Sequence, residues 1–398
     1  MDSRSRVHAA LRRQPVDRVP IFMWFHPQTA ERLGRLLEIP ARFVPDAMGN
    51  DVHQAWVNNN YAMEGIVHEH DGERHQDDWG IVWERQFGFN QIVRYPLADA
   101  EPTTLLSYRF PYEAAEQLCE PMRALAAQSQ DFGSLNSGAS SRDLLRGTPP
   151  VPASSARRLP KSEAGSFFLG CDVSPCVFEM YWRLRGMQGA LVDMIEAPDL
   201  ASEMLRRCAD FALFLAEKAM VEFPLDWLWT GDDVASQEGM MFSPRLWRSL
   251  IKPELKRLFA AGKAHGLWVA YHCCGALRPI LPDLVEIGLD VLNPLQGNCP
   301  GMDPFELKRE FGDRLAFMGG VDTQDLLPRG TALQVGRAIA ALLEGMTAGG
   351  GGYILAASHT IPPETPDENI FAMYREAGVS REEIFDRAAG IRKRVGSI

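Results

Sequence analysis

The sequence predicts an α/β fold, a (β/α)8 TIM barrel, on three observations. Its 398 residues fit one barrel of about 250 residues carrying insertions. Short β-rich runs alternate with helical stretches along the chain, which is the rhythm of βα units around a parallel sheet. Eight such runs can be counted, enough to close a barrel instead of leaving an open doubly wound sheet.

In order, the expected strands are residues 19–25, 52–57, 167–170, 226–230, 267–271, 290–293, 315–318 and Tyr353–Ala357. Helical segments follow them, including a long one after Ser243-Pro244 and one that runs to Ile287. Between residues 64 and 96 the pattern changes to short alternating runs with turns at Asp71-Gly72 and Trp79-Gly80, read as a β-hairpin insertion laid over the barrel. Residues 133–165 are rich in Ser, Gly, Pro and Arg and poor in apolar periodicity, the composition of a mobile loop or lid. No internal repeat occurs at solenoid spacing, so residues 1–398 are read as one elaborated domain.

Hydrophobic residues make up 46% of the chain and charged residues 23%, a balance that supports a large buried core. The formal charge is -11 with no long Lys/Arg run, which excludes an electrostatic nucleic-acid binder and leaves a small molecule or a protein as partner. The first twenty residues lack the apolar core of a secretory signal, and no stretch reaches the ~18 apolar residues that span a bilayer. A cytoplasmic protein without membrane attachment is expected. Seven cysteines, an odd number without framework spacing, argue against a disulfide scaffold. Cys119, Cys171, Cys176, Cys208 and Cys299 read as packing thiols. The stripe Phe178, Tyr181 and Trp182 reads as one buried helical face. Gly349 to Gly352 follows a helix and leads into a strand, so it is a turn and not a phosphate cradle.

The sharpest chemical signal is Tyr271-His272-Cys273-Cys274-Gly275, which ends one expected strand and precedes a helix. Residues two apart in a strand face the same side, so His272 and Cys274 converge while Cys273 points away. An imidazole and a thiolate at a barrel mouth suit one Zn²⁺; a buried histidine beside a structural cysteine is the other reading. A third ligand has to come from another strand end, and His359, closing the last strand, is the candidate. Three protein ligands with a fourth position open describe a catalytic zinc. Alone, His359 also reads as a substrate-binding or helix-entry residue. Asp232-Asp233, Asn293 with Gln296, and Asp322 with Gln324 fall at corresponding strand ends, where βα loops build active sites, although Asp and Asn are also common helix caps. Asp233 is the acid/base candidate, and Trp24 and Phe25 would line an apolar substrate cleft with these polar groups.

From residue 167 onward, and more loosely from residue 1, the chain resembles the uroporphyrinogen decarboxylase superfamily, particularly its cobamide-dependent methyltransferase branch. The resemblance rests on Thr230-Gly231-Asp232-Asp233, His272-Cys273-Cys274-Gly275, Asp290-Val291-Leu292-Asn293-Pro294-Leu295-Gln296, Gly319-Gly320-Val321-Asp322-Thr323-Gln324 and the run from Gly351 to Asn369. In that branch an H-x-C pair and a later cysteine bind zinc beside a corrinoid carried by a separate protein. His272 and Cys274 match the pair, and the later cysteine falls on His359, a less negative ligand that favours polarising an ether oxygen over activating a thiol. Asp51-Val52-His53 begins like the D-x-H-x-x-G signature of corrinoid carriers, but Trp56 stands in place of its glycine, so the corrinoid is expected on a partner protein. In uroporphyrinogen decarboxylases themselves the first strand ends in an arginine that grips a polycarboxylate. Here the corresponding run is Met23-Trp24-Phe25-His26, which removes a bidentate donor.

The resemblance therefore implies a zinc-dependent methyltransferase acting between a small, methoxylated substrate and a separate corrinoid protein. The alternative is uroporphyrinogen decarboxylase or a related non-metal decarboxylase or lyase, with Asp233 and His359 as proton-transfer groups. A binding module without catalysis is the third class, disfavoured by the polar residues at so many strand ends.

Overall fold

The computed structural model describes residues 1–58, 68, 70–87, 89–127 and 167–395; the mobile loop expected at 133–165 lies outside the described residues. In chain order the strands are β1 (Val52–Trp56), β2 (Arg74–Gln76), β3 (Val82–Gln86), β4 (Phe89–Arg94), β5 (Phe168–Asp172), β6 (Trp227–Gly231), β7 (Trp268–His272), β8 (Val291–Leu295), β9 (Ala316–Val321) and β10 (Tyr353–Ala357). Seven of them form a parallel sheet in the order β1-β5-β6-β7-β8-β9-β10, each pair joined by crossover segments that carry helices.

The first expected strand closes this sheet into a (β/α)8 barrel by an irregular route. On one side Ile21 bridges Leu355 and Phe25 bridges Ile361, both in parallel. On the other, the Asp51 N–H donates to the Ile21 carbonyl at 2.8 Å. One level higher, the Asn50 side chain accepts from the Met23 N–H at 3.2 Å and donates to the Met23 carbonyl at 2.8 Å. A side-chain amide thus stands in for strand backbone, which satisfies both of Met23's buried polar groups where the ladder is broken.

Period-2 alternation fills the barrel. Val52, Phe168, Trp227, Trp229, Ala270, Val291 and Ile354 point inward into one cluster, while their neighbours Leu228, Val269, Tyr271 and Leu292 pack outward under the helices. Two tryptophans on β6 need room, and Gly170 on the adjacent strand provides it: a Cβ there would stand 2.0 Å from Trp227 Nε1. Val7 and Leu11 of the helix Ser3–Leu11 join the same inner cluster and close the amino-terminal end of the barrel. That helix is pinned by Arg4 and His8, whose nitrogens lie 2.9 and 3.0 Å from the buried carboxylate of Asp226, just before β6. The carboxyl ends of the strands are left for the site.

β2, β3 and β4 form a separate antiparallel sheet within the span where hairpins were expected, with the turn at Trp79-Gly80 joining β2 to β3. Asp77 holds that turn, accepting from the backbone of Trp79 and Ile81 and from Trp83 Nε1 at 2.8 Å. The ring of Phe89 on β4 reaches the barrel mouth, 5.0 Å from that of His26. Gly349 to Gly352 form a turn, all four at positive φ, between the helix Ala332–Thr347 and β10. All seven cysteines are free, and six are buried. No described helix is long and apolar enough to cross a membrane.

Candidate metal centre and substrate cleft

Three neighbouring strands place one residue each at the same level of the barrel: Gly231 of β6 pairs with His272 of β7, and His272 pairs with Asn293 of β8. Continuing the alternation beyond the strand ends carries Asp233 and Cys274 onto the inner side and Cys273 onto the outer side. Cys273 is accordingly fully buried, its sulfur accepting the Val234 N–H at 3.5 Å. Cys274 is the one cysteine with open surface.

One imidazole nitrogen, one thiol and one carboxylate gather there. The ligand atoms of Asp233, His272 and Cys274 lie within 4.8 Å of one another, the one such group of three among the described residues. Cys274 Sγ is 3.4 Å from His272 Nε2, which is 4.0 Å from Asp233 Oδ1. His272 Nδ1 lies 2.6 Å from Asn293 Oδ1. An amide oxygen can only accept, so the contact places the proton on Nδ1 and leaves the Nε2 lone pair facing the thiol and carboxylate. The loop is fastened from below: Asp233 Oδ1 accepts the Cys274 N–H at 2.7 Å, and Gln296 Oε1 accepts the Gly275 N–H at 2.8 Å. Gly275 sits at φ +88°, where a Cβ would come within 2.2 Å of the Ser236 carbonyl, so a side chain there would displace the loop that carries Cys274.

The electrostatics of the cluster suit a cation. Burial and the neighbouring Glu179 raise the Asp233 pKa against the pull of His272. Burial and the nearby Asp233 push the Cys274 thiol well above its ordinary value. Nitrogen, sulfur and oxygen donors of this kind make a set that zinc accepts.

One hollow opens onto this cluster and a second adjoins it. The inner one, about 180 Å³, is lined by Asp233 and His272 together with Asp172, Glu179, Arg183 and Trp229. The outer one, about 850 Å³, is walled by aromatic rings, among them Phe22, Phe25, Phe87 and Phe89. Trp24, Trp56 and His359 line both. His359 projects into this space with open surface while protein packs around it. That burial and the neighbouring His272 push its pKa down to about 4.

The structure sorts the expected site residues. His272, Cys274 and Asp233 come together, while His359, expected beside the first two, lines the adjoining hollow and is not in this group of three. The reason is topological: β6 is hydrogen-bonded to β7, whereas β10 lies three strands further round. Trp24 and Phe25 line the outer hollow as expected of a cleft. Asn293 and Gln296 face the His272–Gly275 segment and hold it, and neither lines the two hollows. Asp322 accepts from the backbone N–H groups of Gln324, Asp325 and Leu326, and Gln324 is exposed, taking a hydrogen bond from Asn298 at 2.6 Å. These two also lie outside both linings. Asp232 likewise serves the fold, accepting from the N–H groups of Val177, Phe178 and Glu179 where the helix Phe178–Arg185 begins. Sequence reasoning missed Asp172, Glu179, Arg183, Trp56 and Trp229.

Comparison with known proteins agrees with this geometry. The family model described as uroporphyrinogen decarboxylase (URO-D) matches residues 169–378, just over half of the chain. A methylcobamide:CoM methyltransferase, MtaA, of Methanosarcina barkeri is 28% identical over 179 residues, covering 45% of this chain and 49% of that protein. A uroporphyrinogen decarboxylase of Thermus thermophilus is 31% identical over 132 residues, 32% of this chain and 35% of the other. The match thus spans about half the length of the first of these relatives and a third of the second. Among solved structures, a methyltransferase from Methanosarcina mazei superposes with a TM-score of 0.62 at 17% identity, covering 95% of this chain and 98% of that one, a likeness of fold.

Proposed function

The chain belongs to the uroporphyrinogen decarboxylase family, and on that premise we propose that it is a zinc-dependent methyltransferase. It moves a methyl group between a small, methoxylated substrate and the corrinoid of a separate protein, and it works in the cytoplasm. The observation that carries this reading is the cluster of Asp233, His272 and Cys274 with His272 turned by Asn293. The similarity to a methylcobamide:CoM methyltransferase supports it.

His272 and Cys274 would hold the zinc with Asp233 as third ligand, leaving His359 across the hollow. Zinc bound there supplies a Lewis acid that polarises the heteroatom carrying or receiving the methyl group. In demethylation the carbon leaves its oxygen without the bonding pair, the oxygen keeps that pair and gains a proton, and the partner's reduced corrinoid brings the pair for the new bond. At neutral pH His359 is uncharged, since its pKa is held near 4. It can therefore hold a substrate oxygen through its N–H or take a proton from a bound hydroxyl or thiol. Trp24 and Trp56, shared by the two hollows, orient the substrate body and keep water from the reacting atoms.

The test is to incubate the zinc-loaded protein with reduced cobalamin, as stand-in for the partner's corrinoid, and a methoxylated compound. Protein-dependent change of the cobalamin spectrum from the reduced to the methylated form is the expected result. Conversion of uroporphyrinogen to coproporphyrinogen at about 1 per second or faster, without methyl transfer, would overturn the proposal.

A further inference from the structure

The outer hollow is far larger than a one-carbon compound needs. Its volume of about 850 Å³ falls in the range of roughly 300 to 1,000 Å³ typical of sites for whole organic ligands, whereas a molecule of water-like size takes about 30 Å³. Its walls are aromatic on the barrel side, at Phe22 and Trp24, and again on the inserted sheet, at Phe87 and Phe89. Three histidines outside the metal cluster line it: His53, whose Nε2 lies 2.7 Å from Asp46 Oδ1, His359, which is shared with the inner hollow, and His26. His26 is buried, begins the helix Pro27–Leu37 and lines the hollow. Its Nδ1 accepts the Gln28 N–H at 3.3 Å, so in the neutral ring the proton sits on Nε2. Burial lowers its pKa against the pull of Glu364 and Glu31, which keeps the ring neutral near pH 7. No hydrogen bond occupies Nε2 among the described residues, and the Phe89 ring lies 5.0 Å away.

We propose that His26 is a specificity-determining residue of the outer hollow, its Nε2–H selecting methoxylated aromatic substrates that carry a second oxygen acceptor on a substituent away from the methoxy group. The ring lies among Trp24 and Phe89, and that second oxygen takes the hydrogen bond from His26. This deepens the methyltransferase reading and rests on it for the word substrate, but binding itself requires neither zinc, corrinoid nor turnover. A buried donor left without an acceptor is the means by which such a site rejects the analogue lacking the polar atom.

Two neutral probes of nearly equal shape test it, 1-(4-methoxyphenyl)ethanone and 1-ethyl-4-methoxybenzene, which differ in one carbonyl oxygen. Quenching of tryptophan fluorescence reads binding, because Trp24 and Trp56 line the hollow. The ketone-to-ethyl ratio of affinities should fall about tenfold from wild type to His26→Phe, which removes the donor, and should be largely kept in His26→Gln, which retains an N–H. Circular dichroism of both variants separates loss of the donor from loss of the fold. An equal ratio in wild type and His26→Phe, or binding of neither probe, would overturn the proposal. Ring binding with the predicted ratio but no methyl transfer would count against the reaction assigned above and leave the selection by His26 standing.

Discussion

His272 is turned by Asn293: the two side chains meet at 2.6 Å across the pairing of β7 with β8, and the contact decides which imidazole nitrogen faces Cys274 and Asp233. A metal-binding histidine held in this way gains both orientation and basicity. Asn293→Ala should therefore lower zinc affinity by about 10- to 100-fold with the fold retained, whereas Asn293→Asp, which keeps an acceptor, should bind zinc at least as well as wild type. Competition titration with a chromogenic chelator measures both. Equal affinity in wild type and Asn293→Ala would mean that the contact is incidental to the metal.

Zinc uptake should depend steeply on pH. In the metal-free protein the Cys274 thiol is held well above its ordinary pKa by burial and by Asp233, so it is protonated throughout the neutral range. Zinc takes the thiolate, and binding must expel that proton. The sign follows: below the thiol pKa each unit of rising pH favours the bound state, so apparent affinity should climb by about tenfold per unit between pH 6 and 8. Calorimetry in buffers of different ionisation enthalpy counts the protons released. Affinity that is flat over this range would show that sulfur is not a ligand.

How much of this was legible beforehand differs from residue to residue. The inward turn of His272 and Cys274 and the outward turn of Cys273 follow from period 2 alone, and the buried Cys273 and open Cys274 match it. The same rule would have found Asp172, which lies on the inner face two residues beyond Gly170, but the expected strand ended at Gly170 and β5 runs on to Asp172. Glu179 and Arg183 form an i,i+4 ion pair at 2.6 Å, which in sequence looks like any solvated helix face. The chain between β5 and their helix, whose course periodicity does not reveal, brings the pair to the inner hollow. Asp322 and Asp233 carry the same signal, a carboxylate just past a strand; one caps a turn and the other joins the cluster, because what distinguishes them is which backbone N–H groups the following loop presents. The closing of the sheet, which puts Asp233 just past the strand hydrogen-bonded to that of His272 and His359 just past β10, appears only in the folded barrel.

The ligand set itself can be resolved by four single substitutions. Cys274→Ser exchanges a soft thiolate for a poorly ionised hydroxyl and should strip the metal together with activity. Cys273→Ser should retain it, because that sulfur faces the outer packing and meets the Val234 N–H. Asp233→Asn keeps the shape of the cluster but removes the charge, and it also leaves an acceptor for the Cys274 N–H, so loss of zinc in this variant would reflect ligation and not collapse of the loop. His359→Ala removes a side chain that lines both hollows but lies outside the cluster, so zinc should stay near one per chain while turnover falls by about 10²- to 10⁴-fold, the range of a lost proton-transfer group. The barrel's core is large and does not depend on the ion, so circular dichroism should be unchanged in all four, unlike small domains that unfold without their zinc. Elemental analysis beside the activity assay reads the set. Zinc retained in Asp233→Asn and lost in His359→Ala would move the third ligand to the last strand, and zinc retained in Cys274→Ser would remove the metal centre from this place altogether.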